Sequence, residues 1–399
     1  MERTGDSLLR NSHFVKLWIG QAISFVGDAI SMVALIVLIV QITGSASAVG
    51  ALLFARFIPM LASPLVGVFA DRFDRRTILV ASDLVRALLV AGVVLVRDPL
   101  IIYVLVFLMG TARLFFNPTI RAAFPSVVGG GDLTRANALI SATFSVSIAV
   151  GPAIGGLLVA TVGVNAAFVL DAATYVVSSI FLASIPLPRP QREEETSYVQ
   201  DLWAGLHYLA GARVPLAIVL GAFLLVLTIN ATVPAEIFLA KDTFGAGNAG
   251  YGLLVSLWGG GMVLGSALIA MLGDRTNLML FFFLGVFISA IGLVGTGLAP
   301  SFLIALIALT AAGIANGTDN VTTDTILQKR VPDALLGRVF AARYLTYSTG
   351  ELMAYGGGGL LVDAIGPRST YLFTGIGTLV VGLIVLSFIA TASPDKSPH

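Results

Sequence analysis

The sequence predicts an all-α membrane protein: twelve transmembrane helices in two six-helix halves related by parallel duplication. Three observations carry that expectation: the composition, the spacing of the apolar runs and an internal repeat. Of the 399 residues, 57% are apolar and 11% charged, and the mean hydropathy is +0.95. A soluble chain of this length needs far more charged surface, so lipid is the expected solvent. Apolar runs fall at 15–42, 47–70, 77–96, 100–124, 135–160, 164–186, 214–240, 249–272, 277–298, 301–326, 336–362 and 367–391. Each suffices for the roughly 20 residues that cross about 30 Å of hydrocarbon. No barrel-like alternation runs through the chain, so helices are left to satisfy the backbone in lipid.

The first run follows a polar start, Met1 to Lys16. It is too long for a cleaved signal and lacks an A-x-A-like site, so it is expected to be a span. Within it Gln21, Ser24, Asp28 and Ser31 form one polar stripe at helical spacing, facing water or protein. A charge at this depth costs about 2.5–3.5 kcal/mol on insertion scales, which makes it a functional candidate by default. Asp28 lies near the midplane, at a depth similar to that of Arg113 in span four. An Asp28–Arg113 ion pair is expected, either as a protonation-sensitive switch or as a static pair that sets helix register.

The second span carries Arg56 in its outer third, and Asp171 lies at a similar depth in span six, so these two are expected to pair. After span two the chain reads Gly67-Val-Phe-Ala-Asp71-Arg72-Phe-Asp74-Arg75-Arg76. A glycine there permits close helix approach, and an aspartate can accept from backbone N–H groups at another helix's N-terminus. The arginines would anchor the loop at the anionic inner leaflet. An ordinary basic turn is the alternative. In span three Asp83 and Arg86 stand three apart and should pair locally. Span five carries Gly151-Pro152-Ala-Ile-Gly155-Gly156, in which Pro152 removes a donor and the small residues favour tight packing.

Pro188 to Arg213 is the longest hydrophilic stretch. Its run Tyr198 to Leu209 is amphipathic and is expected to lie on the membrane surface. The division expected is therefore 1–187 and 214–399 for the halves, with 188–213 as a cytoplasmic linker. Span seven has Asn230 beside Pro234, an expected break, with Glu236 near its outer end. Span ten offers Asn316, Asp319, Asn320 and Thr323, and then Asp324, expected to pair with Lys329, Arg330 or Arg338. Span eleven aligns Tyr344, Tyr347, Ser348, Glu351 and Tyr355 on one face. Glu351 has no obvious basic partner there. Burial disfavours its charged form, which suits a proton carrier, a counter-ion for a cationic substrate or a merely hydrogen-bonded neutral acid.

The repeat matches Asp71-Arg72 to Asp274-Arg275 at an offset of 203, Ser147, Gly155 and Gly156 to Ser348, Gly356 and Gly357 at 201, and Gly163 to Gly366 at 203. Offsets near half the length, with an even number of spans per half, imply duplication about an axis along the membrane normal. Sixteen lysines and arginines fall in segments that are inner if the N-terminus is inside, against Arg97, Lys241 and Arg368 in the outer loops. Both termini are therefore expected in the cytoplasm.

The loop after span two resembles the major facilitator superfamily pattern G-x-x-x-D-R-x-G-R-[KR], with Asp74 in place of the second glycine. The span-five motif is similar to the G-P-x-x-G-G of drug:proton antiporters, with Ser147 replacing an earlier glycine. Asn11-x-x-Phe14-x-x-Leu17-Trp18, Gly27-Asp28, Asp83-x-x-Arg86-Ala87 and Gln328-x-x-Val331-Pro332-x-x-x-x-Gly337-Arg338-Val339 resemble the branch with macrolide, enterobactin and lysophospholipid transporters. The family's fourth-span arginine motif is met by Arg113, although Asn117 replaces its glycine. The resemblance implies a conformational latch of Gly67, Asp71, Arg72, Arg75 and Arg76, with Asp274 as its repeat. Asp71 would sit against the start of the eleventh helix near Leu336–Arg338, and Asp274 against the start of the fifth near Arg135. It also implies an exporter of a small amphipathic compound that exchanges protons, with lysophospholipid or siderophore transport as alternatives.

Proton-coupling or substrate-binding candidates are Asp28, Arg113, Glu351, Asp319, Gln21, Asn230, Asn316, Tyr344, Tyr347 and Tyr355. Expected partners are the small amphipathic substrate, protons and membrane lipid, with no nucleic acid, no metal and no cofactor, in a monomer of the bacterial cytoplasmic membrane. There is no phosphate loop for ATP drive and no cysteine. A polytopic enzyme gripping diphosphate through Asp319, Asn320 and Asp324 would need a second carboxylate cluster, which the sequence lacks. A transporter-like sensor would be expected to add a soluble domain.

Overall fold

In the computed structural model the described residues are 8–62, 73–128, 132–187, 198–273 and 277–391. They are almost wholly helical. Ten of the helices are long and apolar enough to cross a membrane. In the first half run α1 (Ser12–Thr43), α2 (Ala46–Phe57, continued by a 3-10 turn Ile58–Ala62), α3 (Arg75–Leu95), α4 (Pro99–Val128), α5 (Leu133–Thr161) and α6 (Val164–Ala183). Next come the short α7 (Tyr198–Gly211) and α8 (Arg213–Asn230), which a break separates from α9 (Val233–Phe238) and its π turn Leu239–Thr243. The remaining helices are α10 (Gly247–Leu272), α11 (Leu278–Leu298), α12 (Phe302–Arg330), α13 (Asp333–Ile365) and α14 (Pro367–Ala390). The expected interruption between Asn230 and Pro234 is present.

Besides the short α7, two of the expected spans fall outside the ten. The 17 residues Ala46–Ala62 are short, and α13, though 33 residues long, interleaves arginines, tyrosines and Glu351 with its apolar positions. Large apolar side chains face outward elsewhere: Leu88 is 74% exposed on α3 and Phe373 63% on α14. Such surface is stable against lipid and costly against water.

Local chemistry fixes the helix ends. Asn11 opens α1 by accepting from the His13 and Phe14 amides at 3.0 and 3.2 Å. Asp98 accepts from the Leu100 amide at 2.8 Å, ahead of which Pro99 starts α4. Gly163 and Gly366 precede the sixth helix of each half with φ of +101° and +81°, a region that only glycine enters without strain. The repeat matched in sequence is therefore a repeated turn. Asp74 has an ordinary extended backbone, φ −60°, and caps α3 through the Thr77 amide at 3.0 Å and the Thr77 hydroxyl at 2.9 Å. Its place in the motif is explained by capping. Asp74→Ala should lower stability by about 1 kcal/mol, read as a lower melting temperature in detergent, and an unchanged melting curve would show the cap to be idle.

The chain forms two compact units. One comprises Met1–Gly44, Ala51–Glu195 and Gly247–Ser256, the other Ser45–Gly50, Thr196–Ala246 and Leu257–His399. In the first, α1 packs on α5 and α6, and α3 on α4 and α6. The span-five motif serves these contacts. A β-carbon at Gly155 would meet the Ile30 backbone at 3.0 Å, and one at Gly156 would meet the Asn248 carbonyl at 2.6 Å. Beside Pro152, the Ala153 amide donates to Ser256 Oγ at 2.7 Å. In the second unit α11 packs on α12 and α14, and α13 on α8. The amphipathic run is indeed a helix: α7 packs against α13, where Gly205 lies tight on the Arg338 carbonyl. There too Asp363 of α13 caps α2, accepting from the Ala46 and Ser47 amides at 2.8 and 2.9 Å and from the Ser45 hydroxyl at 2.8 Å.

Candidate functional site

Four helices of the first unit bring three charged groups and a phenol to one place. Asp28 of α1 is the centre. Tyr175 of α6 donates to its Oδ1 at 2.5 Å, Arg56 of α2 stands 3.5 Å from the same oxygen, and Arg113 of α4 lies 3.5 Å from Oδ2. The expected Asp28–Arg113 pair is thus present. The expected Arg56–Asp171 pair is corrected: the partner of Arg56 is Asp28. The cause is the crossing of α2 and α4, where Gly110 lies so close to the Arg56 carbonyl that a β-carbon would overlap it. That contact sets Arg56 and, one turn along α4, Arg113 over the same carboxylate.

Around this centre Arg86 of α3 pairs with Asp83, as expected, and its guanidinium lies between the rings of Phe116 and Tyr175, 4.5 and 4.4 Å from their centroids. Asp171 is fully buried, with Thr174 Oγ1 3.3 Å from its Oδ1. Gln21, Ser24 and Ser31 are buried in protein, so the polar stripe of α1 faces inward. A cavity of about 10 Å³, near the least that admits one water, is lined by Asp28, Arg56, Arg86, Arg113 and Tyr175. Arg113 is the open side of the cluster, its side chain 31% exposed against 9% for Arg56. Tyr175 was not picked out from the sequence, although Asp171 and Tyr175 are four apart on one helical face. Tyr175→Phe keeps the ring beneath Arg86 and removes only the hydroxyl. It should cost about 1.5–3 kcal/mol, the worth of a hydrogen bond to a charged group; identical melting of the variant and the parent would exclude that bond.

A second cavity, of about 160 Å³, lies within the second unit. Asn230 at the end of α8, Asn316, Asp319 and Asn320 of α12, and Tyr347 of α13 supply its polar wall, and Trp258 and Met262 of α10 face them. Asn320 donates to Asn316 at 3.2 Å. Arg343, overlooked in the sequence, also lines it and pairs with Asp324 at 2.8 Å. The expectation that Asp324 pairs with Lys329, Arg330 or Arg338 is corrected accordingly. Arg343, Tyr347, Glu351 and Tyr355 recur every fourth residue, a spacing that places the arginine on the same helical face as the tyrosines and the glutamate. Glu351 accepts from the Tyr355 hydroxyl at 2.7 Å, so a phenol on its own helix supports it. Tyr344 is 43% exposed and does not line the cavity.

The two cavities occupy equivalent places in the repeat. Asp28 corresponds to Asn230 and Arg56 to Trp258 at an offset of 202, and Arg113 to Asn316 and Gly110 to Gly313 at 203. The close approach is repeated as well, since a β-carbon at Gly313 would overlap the Trp258 carbonyl. At these matched positions the first half has charges, and the second has two amides and an aromatic ring.

Of the expected latch, Gly67, Asp71, Arg72 and Asp274 lie outside the described residues. Arg75 donates to the Ala122 carbonyl at 3.1 Å, and Arg76 donates to the Ala183 carbonyl at the end of α6, where cations favour the helix dipole. Both thus hold helices of their own unit.

A family model described as transmembrane secretion effector matches residues 4–398. Macrolide efflux protein A of Streptococcus pyogenes is 25% identical over 389 residues, covering 94% of each chain. Multidrug efflux pump Tap of Mycobacterium bovis (strain BCG / Pasteur 1173P2) is 28% identical over 396 residues, covering 94% of this chain and 92% of its own. Among solved structures, a point mutant of the nucleoside transporter NupG superposes with a TM-score of 0.81 at 13% identity, covering 94% of this chain and 99% of its own, a likeness of fold.

Proposed function

Because the chain belongs to the transmembrane secretion effector family of major facilitator-type transporters, we propose that it is a secondary active exporter of small amphipathic compounds, driven by proton exchange through Asp28. The observation that carries this reading is one carboxylate held by two arginines and a phenol inside a membrane helix bundle. A buried charge in lipid costs about 2.5–3.5 kcal/mol on insertion scales, which makes it a functional candidate by default. Asp28 is salt-bridged by Arg56 and Arg113, so it takes up a proton only as one of these arginines withdraws, and proton binding and the packing of α1, α2 and α4 are thereby linked. Arg113, the more exposed of the two, is the side from which a proton arrives through water. The efflux relatives support export as the direction and drug-like compounds as the cargo.

The driving force suffices. A proton crossing a membrane potential carries about 2.3 kcal/mol per 100 mV, enough for accumulation of tens-fold per charge. The test uses inverted membrane vesicles. Acidifying their lumen should drive uptake of an amphipathic dye or macrolide, and a protonophore should stop it within the assay time. Uptake that survives the protonophore, or that needs added ATP, would refute proton exchange.

A further inference from the structure

We infer that the cavity of the second unit is a binding site for the protonated amine of an amphipathic ligand, with Asp319 as its counter-ion. The inference rests on the exporter reading and names the chemical class of its cargo. Asp319 is 8% exposed, and the Thr323 hydroxyl one turn on is its neighbour on the same helix, yet its buried Oδ1 makes no hydrogen bond of good geometry. An acceptor left so costs about 1–3 kcal/mol, more when charged, unless something else fills it. Arg343 acts on Asp319 electrostatically but pairs with Asp324 at 2.8 Å. One carboxylate is therefore left in excess at a cavity of about 160 Å³.

The remaining lining selects the kind of cation. Asn316 and Asn320 flank Asp319 on the same helix, and their amides can accept N–H groups or be donors to a ligand oxygen. Trp258 offers an aromatic face, which attracts a cation and covers an apolar body equally well. Leu225, Val226 and Ile229 of α8 form an apolar wall along the same space. Comparison within the repeat sharpens the point. At the position of Asp319 the first half has Phe116, and at the positions of Arg56 and Arg113 the second half has Trp258 and Asn316. The first cavity is filled by its own arginines. Around the second, two acids, Asp319 and Asp324, share one cation, Arg343, and there is space where another would stand.

The experiment compares phenethylamine with 2-phenylethanol, which share a body and differ in charge. For the purified protein in detergent, phenethylamine should raise the melting temperature and the alcohol at the same concentration should not. In inverted vesicles Asp319→Asn should lose uptake of an aromatic amine at least tenfold while keeping uptake of a neutral amphipathic compound. Equal shifts with amine and alcohol, or stabilisation by sodium ion in place of the amine, would overturn the site. So would an Asp319→Asn variant that handles both compounds as the parent does, or that loses both. Should Asp319→Asn not fold, the amine–alcohol comparison on the parent decides alone. If the parent protein transports neither compound, the exporter reading fails while the melting shift still judges the site.

Discussion

Asp28→Asn should abolish proton-driven accumulation of substrate in vesicles while leaving exchange of substrate down its own gradient. The substitution keeps the shape of the side chain and an acceptor for the Tyr175 hydroxyl, so the 2.5 Å contact has a neutral successor. It removes the charge that Arg56 and Arg113 share at 3.5 Å each. Breaking a buried pair from one side costs about 3–5 kcal/mol, because the partner remains as an uncompensated charge. Arg113, 31% exposed, recovers part of that through water, so the cost is at the low end. The variant should therefore insert and fold with a lowered melting temperature. Its defect should be coupling: a neutral amide binds no proton, so acidifying the lumen no longer biases the cycle. Wild-type accumulation by Asp28→Asn would remove Asp28 from the mechanism. Arg113→Gln added to Asp28→Asn should restore part of the lost stability, since no orphan guanidinium remains at that position, and should leave coupling lost.

What the sequence made legible follows from how local each feature is. Apolar runs of span length, the proline break after Asn230 and the turns at Gly163 and Gly366 depend on neighbours in the chain; the break and the turns are present, and ten of the runs are helices long and apolar enough to cross a membrane among the described residues. Ion pairs across helices depend on the register of crossing. Asp28–Arg113 was legible because both residues sit at midplane depth. The partner of Arg56 was not, because the crossing at Gly110 moves it from Asp171 to Asp28. The Arg343–Asp324 pair joins α13 to α12, so it too depends on the register of two helices and not on chain neighbours. The second cavity was legible residue by residue as Asn230, Asn316 and Asp319. Its Trp258 and Met262 were not, since nothing local to α10 says which face meets α12.

The contact of α10 with α12 should be the least tolerant place in the second unit. Gly261 and Gly265 of α10 face Gly313 and Gly317 of α12, two four-residue glycine spacings pressed together. A β-carbon at Gly265 would overlap the Ile314 carbonyl, and one at Gly317 the Met262 carbonyl. The Thr318 hydroxyl lies 3.4 Å from the Gly265 carbonyl and the Ser266 hydroxyl 3.3 Å from the Gly317 carbonyl, so polar contacts sit beside the bare ones. In lipid no hydrophobic force presses helices together, and close backbone approach supplies dispersion in its stead. The obstacle at each glycine is backbone, which moves only with its helix, so overpacking falls at or above the upper end of the usual 1–3 kcal/mol. Gly317→Leu should give little or no monodisperse protein by size-exclusion chromatography in mild detergent. Gly357→Leu is the control, because nothing lies within 4 Å of a β-carbon there. Gly317→Ala should fold less stably and bind phenethylamine more weakly, since the helix that moves carries Asn316, Asp319 and Asn320. Normal yield and melting of Gly317→Leu would mean that the two helices cross elsewhere, and the amine cavity would then lose the contact that shapes it.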